Sequence, residues 1–357
     1  MKKLLAMALT ATMVLSMAAC GSAPASSSAP APSSAPASSN APAPSDAPET
    51  FETVKLNVAY MPNMGSASLV ATAKDKGFFN EMGLDVTLTQ FQGGPAEISA
   101  MASGDIQISQ IGHGAHALAA EGQAVIFQLD CTSLADAVIA NKSKGINSIA
   151  DLKGKKIAST AGTSAEIILN LALESAGLTQ KDVEIVEMDA NGIVSAMISG
   201  GVDACATWSP GTMTITKALG DNALTLASNN DYLDKVTFPS SFVTTQKYAD
   251  ANRDVLVRFS RALQKAADYR AANIDEVAKL VAKLCEADEA TMLACTAEGN
   301  WIPGEFYKTG IADGTVKSYY ENQQKVFIEG GRLKEAVDVN KYVMFDIMEE
   351  AYAANHK

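Results

Sequence analysis

Several short runs of the chain alternate apolar and polar residues with the period of a β-strand, and helical stretches with a period of about 3.6 residues separate them. In the first part, the pattern predicts strands at Val54–Tyr60, Leu84–Gln90, Ile106–Ile111 and Val125–Leu129, and helices at Ser66–Phe79 and Ala96–Ser103. Strands that alternate with helices indicate βαβ units around a largely parallel sheet. The predicted fold class is therefore α/β.

The same order of elements recurs further along the chain. Strands are predicted at Lys156–Ser159, Val183–Met188 and Ala204–Trp208, and helices at Ala165–Ala176 and Ile193–Ser199. The segment Ile98–Gly104 reads ISAMASG and Val194–Gly200 reads VSAMISG, so two helices that follow corresponding strands share a sequence pattern. This internal repeat predicts two lobes of similar topology.

Beyond a short strand at Ser241–Thr245 the pattern becomes mostly helical. Helices are predicted at Arg253–Asn273, Asp275–Cys285, Gly314–Glu329 and Asn340–Ala354. A helical tail of this kind is expected to pack back on the first lobe. The predicted organisation is a first lobe over residues 51–138, a second lobe over 139–237, and a return to the first lobe with C-terminal helices over 238–357.

Residues 1–20 are typical of a secretory signal peptide. Lys2 and Lys3 precede an apolar run over Leu4–Met17 that is short for a bilayer span, and Ala18-Ala19 stand just ahead of Cys20. The segment Met17-Ala18-Ala19-Cys20-Gly21 resembles a bacterial lipobox, which implies that Cys20 is acylated and anchors the protein to a membrane. Residues 21–50 are almost entirely Ala, Ser and Pro, which predicts a disordered spacer.

Composition excludes some classes of function. The net charge is -12 and no Lys/Arg cluster appears, so nucleic acid is not an expected partner. The four other cysteines contain no C-x-x-C pair; they suit small buried side chains, or a Cys285–Cys295 bridge in an oxidising compartment. His113 and His116 lack a third nearby metal ligand, so no metal site is expected.

Ligands in open α/β sheets bind beyond the carboxyl ends of the strands, where helix N-termini present unpaired N–H groups. At Gly162-Thr163-Ser164 a glycine, two hydroxyls and a helix start favour an anionic or polar group, although an ordinary capped helix start has the same pattern. Trp208, at a strand end, fits an aromatic wall or a core position equally well. The predicted ligand-binding residues are Tyr60, Asn63, Gln92, Gly93, Gly94, His113, Gly114, Thr160, Gly162, Thr163, Ser164, Asp189, Trp208 and Ser240.

The chain contains no G-x-S-x-G elbow, no P-loop and no H-E-x-x-H motif. Three histidines offer few general bases. The protein is therefore expected to bind a ligand without transforming it, and no cofactor is expected.

Five segments together resemble one family of solute-binding proteins. They are Gly77–Leu84 (GFFNEMGL), Gly93–Ala96 (GGPA), Ser103–Ile106 (SGDI), Ile149–Ala158 (IADLKGKKIA) and the stretch from Asp203 to Pro210. The chain is similar to the family that serves alkanesulfonates, taurine, nitrate and thiamine-precursor pyrimidines. This resemblance implies a type II periplasmic-binding-protein fold, in which two lobes close over the ligand about a hinge.

The resemblance also implies a function. The expected role is that of a solute-binding lipoprotein of an ABC importer, monomeric and anchored by its lipid to the outer face of the cytoplasmic membrane. Its expected ligand is a small organic anion, first of all a sulfonate, delivered to a membrane permease. Taurine binders carry an acidic residue where this chain has Ser240-Ser241, so Asp130 or Asp189 would have to hold the amine, and only His113 could serve nitrate. A pyrimidine-synthase-like enzyme that uses His113 and the binding module of a sensor system are the alternatives.

Overall fold

A computed structural model describes residues 50–357. The predicted signal peptide, the acylation site at Cys20 and nearly all of the predicted spacer lie outside these residues. The described part contains the strands β1 (Val54–Tyr60), β2 (Leu84–Gln90), β3 (Ile108–Ile111), β4 (Val125–Ser133), β5 (Asp136–Asn141), β6 (Lys156–Ser159), β7 (Glu184–Glu187), β8 (Ala204–Trp208), β9 (Ala223–Ser228), β10 (Pro239–Thr244) and β11 (Gly299–Asn300).

These strands form two sheets with the same topology. The first sheet has the order β2-β1-β3-β10-β4-β11, and the second has the order β7-β6-β8-β5-β9. In each sheet three parallel strands come first, and an antiparallel strand then separates the third from the next. The shared order confirms the two similar lobes predicted from the internal repeat.

The chain passes between the two sheets twice. It leaves the first sheet at Ser133 and enters the second at Asp136; it leaves the second at Ser228 and returns at Pro239. The predicted lobe boundaries at 138/139 and 237/238 stay predictions, and they lie beside these crossings. Two crossing segments that run side by side allow the lobes to move about a common hinge.

Helices cover both sheets and form the C-terminal part. Their bounds are α1 (Met64–Asp75), α2 (Phe78–Glu81), α3 (Gly94–Ser103), α4 (His116–Ala120), α5 (Ser164–Ser175), α6 (Ala190–Ser199), α7 (Gly211–Leu219), α8 (Gln246–Ala251), α9 (Arg253–Ala272), α10 (Ile274–Cys285), α11 (Glu289–Ala294), α12 (Glu305–Ala312), α13 (Thr315–Glu329) and α14 (Phe345–Asn355).

Two predicted helices differ from the structure for identifiable reasons. The single helix predicted over Ser66–Phe79 is divided into α1 and α2, because Gly77 adopts a left-handed conformation with φ 77° that a continuous helix does not contain. The last helix begins at Phe345 instead of Asn340. The reason is that a 3₁₀ turn over Val339–Lys341 is followed by backbone hydrogen bonds that Tyr342 and Met344 exchange with Ile126 of β4, and these interrupt the helix.

The C-terminal helices pack on the first lobe, as the sequence predicts. Helix α9 lies against α1 and α14, and the Phe259 ring stacks on Phe79 with centroids 5.0 Å apart. Cys285 and Cys295 are both free thiols, so the bridge that the sequence allowed is not formed. Within residues 50–357, no helix is long and apolar enough to cross a membrane.

Candidate functional site: a cleft between the lobes

A cleft lies where the two lobes face each other, and it holds about 700 Å³ of space that is partly open to solvent. The first lobe contributes the loops after β1 and β3, the start of α3, and parts of β4 and β10. The second lobe contributes the starts of β5 and α5 and the end of β8, and the segment 295–301 closes one side.

Half of the predicted ligand-binding residues line this cleft. The seven that do so are Asn63, Gly94, His113, Thr163, Ser164, Trp208 and Ser240. Gln92 lies in a smaller neighbouring pocket that Trp208 also lines, so it is near the cleft but outside it. The assignment of all these residues to ligand binding stays a prediction, because the structure shows their position and not their contacts with a ligand.

Three other predicted ligand-binding residues form hydrogen bonds within the protein. The Tyr60 hydroxyl donates to the carbonyl of Leu284, 3.4 Å away, and the Thr160 hydroxyl donates to the carbonyl of Met188. The exposed Asp189 caps α6 by accepting the Gly192 N–H at 2.7 Å.

Three predicted glycines lie where the lobes or their loops meet. A Cβ on Gly114 of the first lobe would lie 2.1 Å from the carbonyl carbon of Thr163 in the second. A Cβ on Gly162 would lie 3.0 Å from Pro95, and one on Gly93 would lie 3.6 Å from Thr163. These glycines lie in the contact between the lobes. The close packing there accounts for the small residue at each position without a direct ligand contact.

The start of α5 uses its donors within the protein. The Thr163 hydroxyl donates to the Thr160 carbonyl at 2.7 Å, and the Ser164 hydroxyl lies close enough to the Asp136 carboxyl to lower its pKa. The Gly162 N–H donates to Glu166 at 2.9 Å. The Thr163 hydroxyl, which was expected to receive an anion, therefore already has an acceptor, and the Gly162 N–H is occupied by a carboxylate.

Asp136 and His113 lie together on the cleft wall, and each is 1% exposed. Burial raises the pKa of Asp136 to about 6, although hydrogen bonds from Ser164 and Asn229 oppose the shift. Burial lowers the pKa of His113 to about 3, so its ring is neutral at pH 7. The 3.9 Å separation of His113 Nε2 and Asp136 Oδ2 is therefore not a salt bridge.

Glu298 adds a second carboxylate. Its Oε1 accepts from the Ser209 hydroxyl at 2.8 Å, whereas its buried Oε2 has no hydrogen-bond partner. Burial raises the pKa of this carboxyl, against the opposing effect of the hydrogen bond from Ser209. No lysine or arginine is among the described residues that line the cleft. The ionisable side chains on its surface are thus acidic, apart from a neutral histidine and two thiols.

Behind this surface lies a buried ion pair. Arg270 donates to the Asp130 carboxylate at 2.7 Å and to the Asp130 carbonyl at 2.9 Å, and both side chains are fully buried. The other Asp130 oxygen accepts from Gln110, so both carboxylate oxygens of Asp130 already have partners within the protein. The Arg270 guanidinium also lies over the ring of Trp301, 5.2 Å from its centroid, and fixes this part of the cleft wall.

Several cleft residues were missed in the sequence. Asp136 is a single charge at the start of the apolar run DAVIAN, and Trp301 is one of only two tryptophans. Both residues could therefore have been selected as candidates from the sequence. Gln110 and Glu298 carry no comparable signal, because each reaches the cleft through the folding of distant segments.

The described part of the chain offers few side chains suited to catalysis or to metal binding. Cys131 and Cys295 line the cleft, but burial raises the pKa of both thiols to about 12, so they are protonated and weak nucleophiles at pH 7. Within residues 50–357, no three His, Cys, Asp or Glu side chains are grouped so that they could hold a metal ion.

Comparison with known proteins assigns the chain to a family. A family model described as NMT1/THI5-like matches residues 66–277. The chain belongs to the NMT1/THI5-like family. A protein of Brucella abortus (strain 2308) named for a binding role is 32% identical over 295 residues, which cover 83% of this chain and 92% of that protein. A Bacillus subtilis (strain 168) protein named for binding aliphatic sulfonates is 29% identical over 63% of this chain and 68% of its own length.

The fold is shared with a solved structure. The alkanesulfonate-binding protein of Xanthomonas axonopodis pv. citri, bound to MOPS, matches with a TM-score of 0.63 at 21% identity, over 83% of this chain and 99% of that one. At this identity the likeness shows the fold alone. The predicted family resemblance and the two-lobed periplasmic-binding-protein fold are both confirmed.

Proposed function

We propose that this NMT1/THI5-like protein is an extracytoplasmic solute-binding protein that delivers a small organic solute to an ABC permease. The observation that carries the proposal is the cleft between two lobes of equal topology, because both lobes supply its lining. The binding role named for the Brucella and Bacillus relatives supports it. A monomer held at the outer face of the cytoplasmic membrane through acylated Cys20 belongs to the same proposal.

The geometry supplies a mechanism of capture. A solute that contacts His113 on the first lobe and Trp208 on the second stabilises the closed arrangement, because an open arrangement cannot offer both contacts at once. The crossings at 133–136 and 228–239 are the segments about which the lobes would rotate. A permease that recognises the closed form would then receive only the loaded protein.

A sulfonate is the ligand that the Bacillus relative and the Xanthomonas structure suggest first. The starts of α1, α3 and α5 all reach the cleft, and helix N-termini attract negative groups. The acidic side chains Asp136 and Glu298 oppose this attraction. An anion is thus a candidate that the family favours and the local charges disfavour.

An enzyme is supported less well. A general base works best with a pKa near the working pH, whereas burial lowers the pKa of His113 to about 3. The protonated thiols described above are equally unsuited to nucleophilic attack. We therefore expect any bound compound to be released unchanged.

The test is a thermal-shift measurement on the full chain, purified in detergent. Ethanesulfonate, taurine, nitrate and the dialysable small molecules of a yeast extract are added separately. At least one should raise the melting temperature, because a ligand at 100 times its Kd stabilises the folded state by about 2.7 kcal/mol. Absence of any stabilisation, or turnover of the stabilising compound seen by mass spectrometry, would overturn the proposal.

A further inference from the structure

The polar atoms of the cleft that lack partners are mainly acceptors. Gln110 Oε1, Glu298 Oε2 and both ring nitrogens of His113 are buried and make no hydrogen bond within the protein. Gln110 and His113 are each 1% exposed. Buried polar atoms are normally satisfied, so four such atoms around one cleft indicate the groups that a ligand would contact.

The orientation of these groups is determined by their other contacts. Gln110 Nε2 donates to the Asp130 carboxylate at 2.8 Å, so its amide cannot be reversed and the free atom is the oxygen. Glu298 Oε1 is occupied by Ser209, which leaves Oε2 as the free acceptor. The neutral ring of His113 offers one acceptor and one donor. Three of the four unpartnered atoms can therefore accept a hydrogen bond, and only one can donate.

The ionisable groups of the cleft wall also favour a ligand that donates hydrogen bonds. Asp136 and Glu298 are the only carboxyl side chains among the described lining residues, and no lysine or arginine is present there. The nearest buried guanidinium, that of Arg270, is neutralised by Asp130. The Gly162 N–H, just before α5, is also directed to one of the protein's own carboxylates, that of Glu166.

Two tryptophans complete the wall. Trp208 comes from the second lobe, and Trp301 comes from the segment between α11 and α12. The Trp301 indole N–H donates to the Thr296 carbonyl at 2.8 Å, so this ring can offer the cleft only its π surface. An indole face attracts cations and flat unsaturated groups.

From this arrangement we infer that the ligand carries a positively charged N–H donor group, such as a protonated amine or amidine, which Glu298 and Asp136 hold beside the tryptophans. This inference rests on the proposed function, because it names the class of solute for the same cleft. It differs from the anion expected from the sequence. A sulfonate group could still form part of the ligand, provided that a cationic nitrogen accompanies it.

The experiment tests separately whether a ligand binds and which charge that ligand carries. Dialysable molecules of a yeast extract are divided by ion exchange into cationic, neutral and anionic fractions, and each is added to the full chain in a thermal-shift assay. Zwitterions such as taurine are tested individually against ethanesulfonate, which lacks the amine. We expect stabilisation by the cationic fraction, or by taurine and not ethanesulfonate.

A charge-neutral variant tests the residue. Glu298→Gln keeps the acceptor for Ser209 and should weaken binding of the stabilising fraction at least tenfold, whereas Glu335→Gln, on the exposed surface, should not. If Glu298→Gln does not fold, the fraction assay on the unaltered protein decides alone. Stabilisation by anions without a cationic nitrogen would overturn the inference and leave the proposed function intact. Failure of every fraction would overturn both.

Discussion

Replacing Glu97 by glutamine should remove a strong dependence of stability on pH. Glu97 lies in α3 with no exposed surface, and its Oε2 accepts a short hydrogen bond from the Ser109 hydroxyl of β3. Burial raises the pKa of this carboxyl from 4.5 to about 8, and the hydrogen bond from Ser109 only partly opposes the shift. The folded protein therefore holds Glu97 protonated at pH 7.

The sign and size follow from proton linkage. A carboxyl with a higher pKa in the folded state contributes its full stability below pH 4.5 and loses it as the pH rises through 8. The shift of roughly 3.5 pKa units corresponds to about 5 kcal/mol in total, at about 1.4 kcal/mol per unit. About 3 kcal/mol of this is lost between pH 4 and pH 7, where the unfolded chain ionises and the folded protein does not.

Urea denaturation of wild type and Glu97→Gln from pH 4 to pH 8 measures the effect. The difference between the two proteins isolates Glu97, because His113 and His116, whose pKa values burial lowers to about 3, contribute equally to both. The variant should gain roughly 2–3 kcal/mol relative to wild type on going from pH 5 to pH 7. Glu335→Gln is the exposed control. A constant difference across this range would show that Glu97 is ionised in the fold and refute the reasoning.

Three further changes test the packing and the cleft. Arg270→Met should destabilise the protein by about 3–5 kcal/mol in urea denaturation because it leaves Asp130 buried and unpaired, and adding Asp130→Leu should recover part of the loss. Arg332, which follows α13, pairs with Glu166 of the second lobe at 2.5 Å. Arg332→Gln should therefore lower ligand affinity severalfold in calorimetry and increase the radius of gyration in X-ray scattering. An unchanged affinity would contradict a role of this pair in closure. Affinity for a cationic ligand should fall between pH 7 and pH 5, because Asp136, with a pKa of about 6 and facing His113 and Glu298, takes up a proton there; a rise would indicate an anion.

The strands predicted from the sequence include some with alternating burial and some that are buried on both faces. The bounds of β2 (Leu84–Gln90) were correct, because buried and exposed residues alternate along its first half. Strand β8 is almost fully buried and was predicted with its correct bounds, so burial alone does not explain why β5, all six of whose residues are buried, was missed. Its position at the crossing between lobes also follows from the sheet topology, and local sequence does not contain that information.

The sequence did not reveal cleft residues that contacts between distant segments bring together. Loops after strands were found correctly because the topology of α/β sheets places them together. Glu298 belongs to a helical part of the chain, and a backbone hydrogen bond from Leu134 N–H to its carbonyl at 2.8 Å brings it to the crossing segment. The hydroxyls at the start of α5 were placed at the cleft correctly, and their ligand-binding role stays a prediction; the Thr160 carbonyl that accepts from Thr163 is visible only in three dimensions.

At Gly114, the addition of a single methyl group should prevent closure of the two lobes without preventing folding. It lies in the 3₁₀ turn His113–Ala115 of the first lobe, where an alanine fits the backbone, but a Cβ would lie 2.1 Å from the carbonyl carbon of Thr163 and 2.2 Å from its oxygen. Both are backbone atoms, so no side-chain rotation can relieve the contact, and the lobes must move apart instead.

Gly114→Ala should therefore weaken ligand binding at least tenfold in calorimetry while leaving the unfolding free energy within about 1 kcal/mol of wild type. The larger radius of gyration of the open arrangement should persist in X-ray scattering when ligand is added. Gly201→Ala is the matched control, because the nearest atom to its Cβ lies at an ordinary 3.6 Å. A Gly114→Ala protein that binds as tightly as wild type would mean that ligand is held without this contact between the lobes. The cleft would then be a site on an open surface, and capture by closure would be wrong.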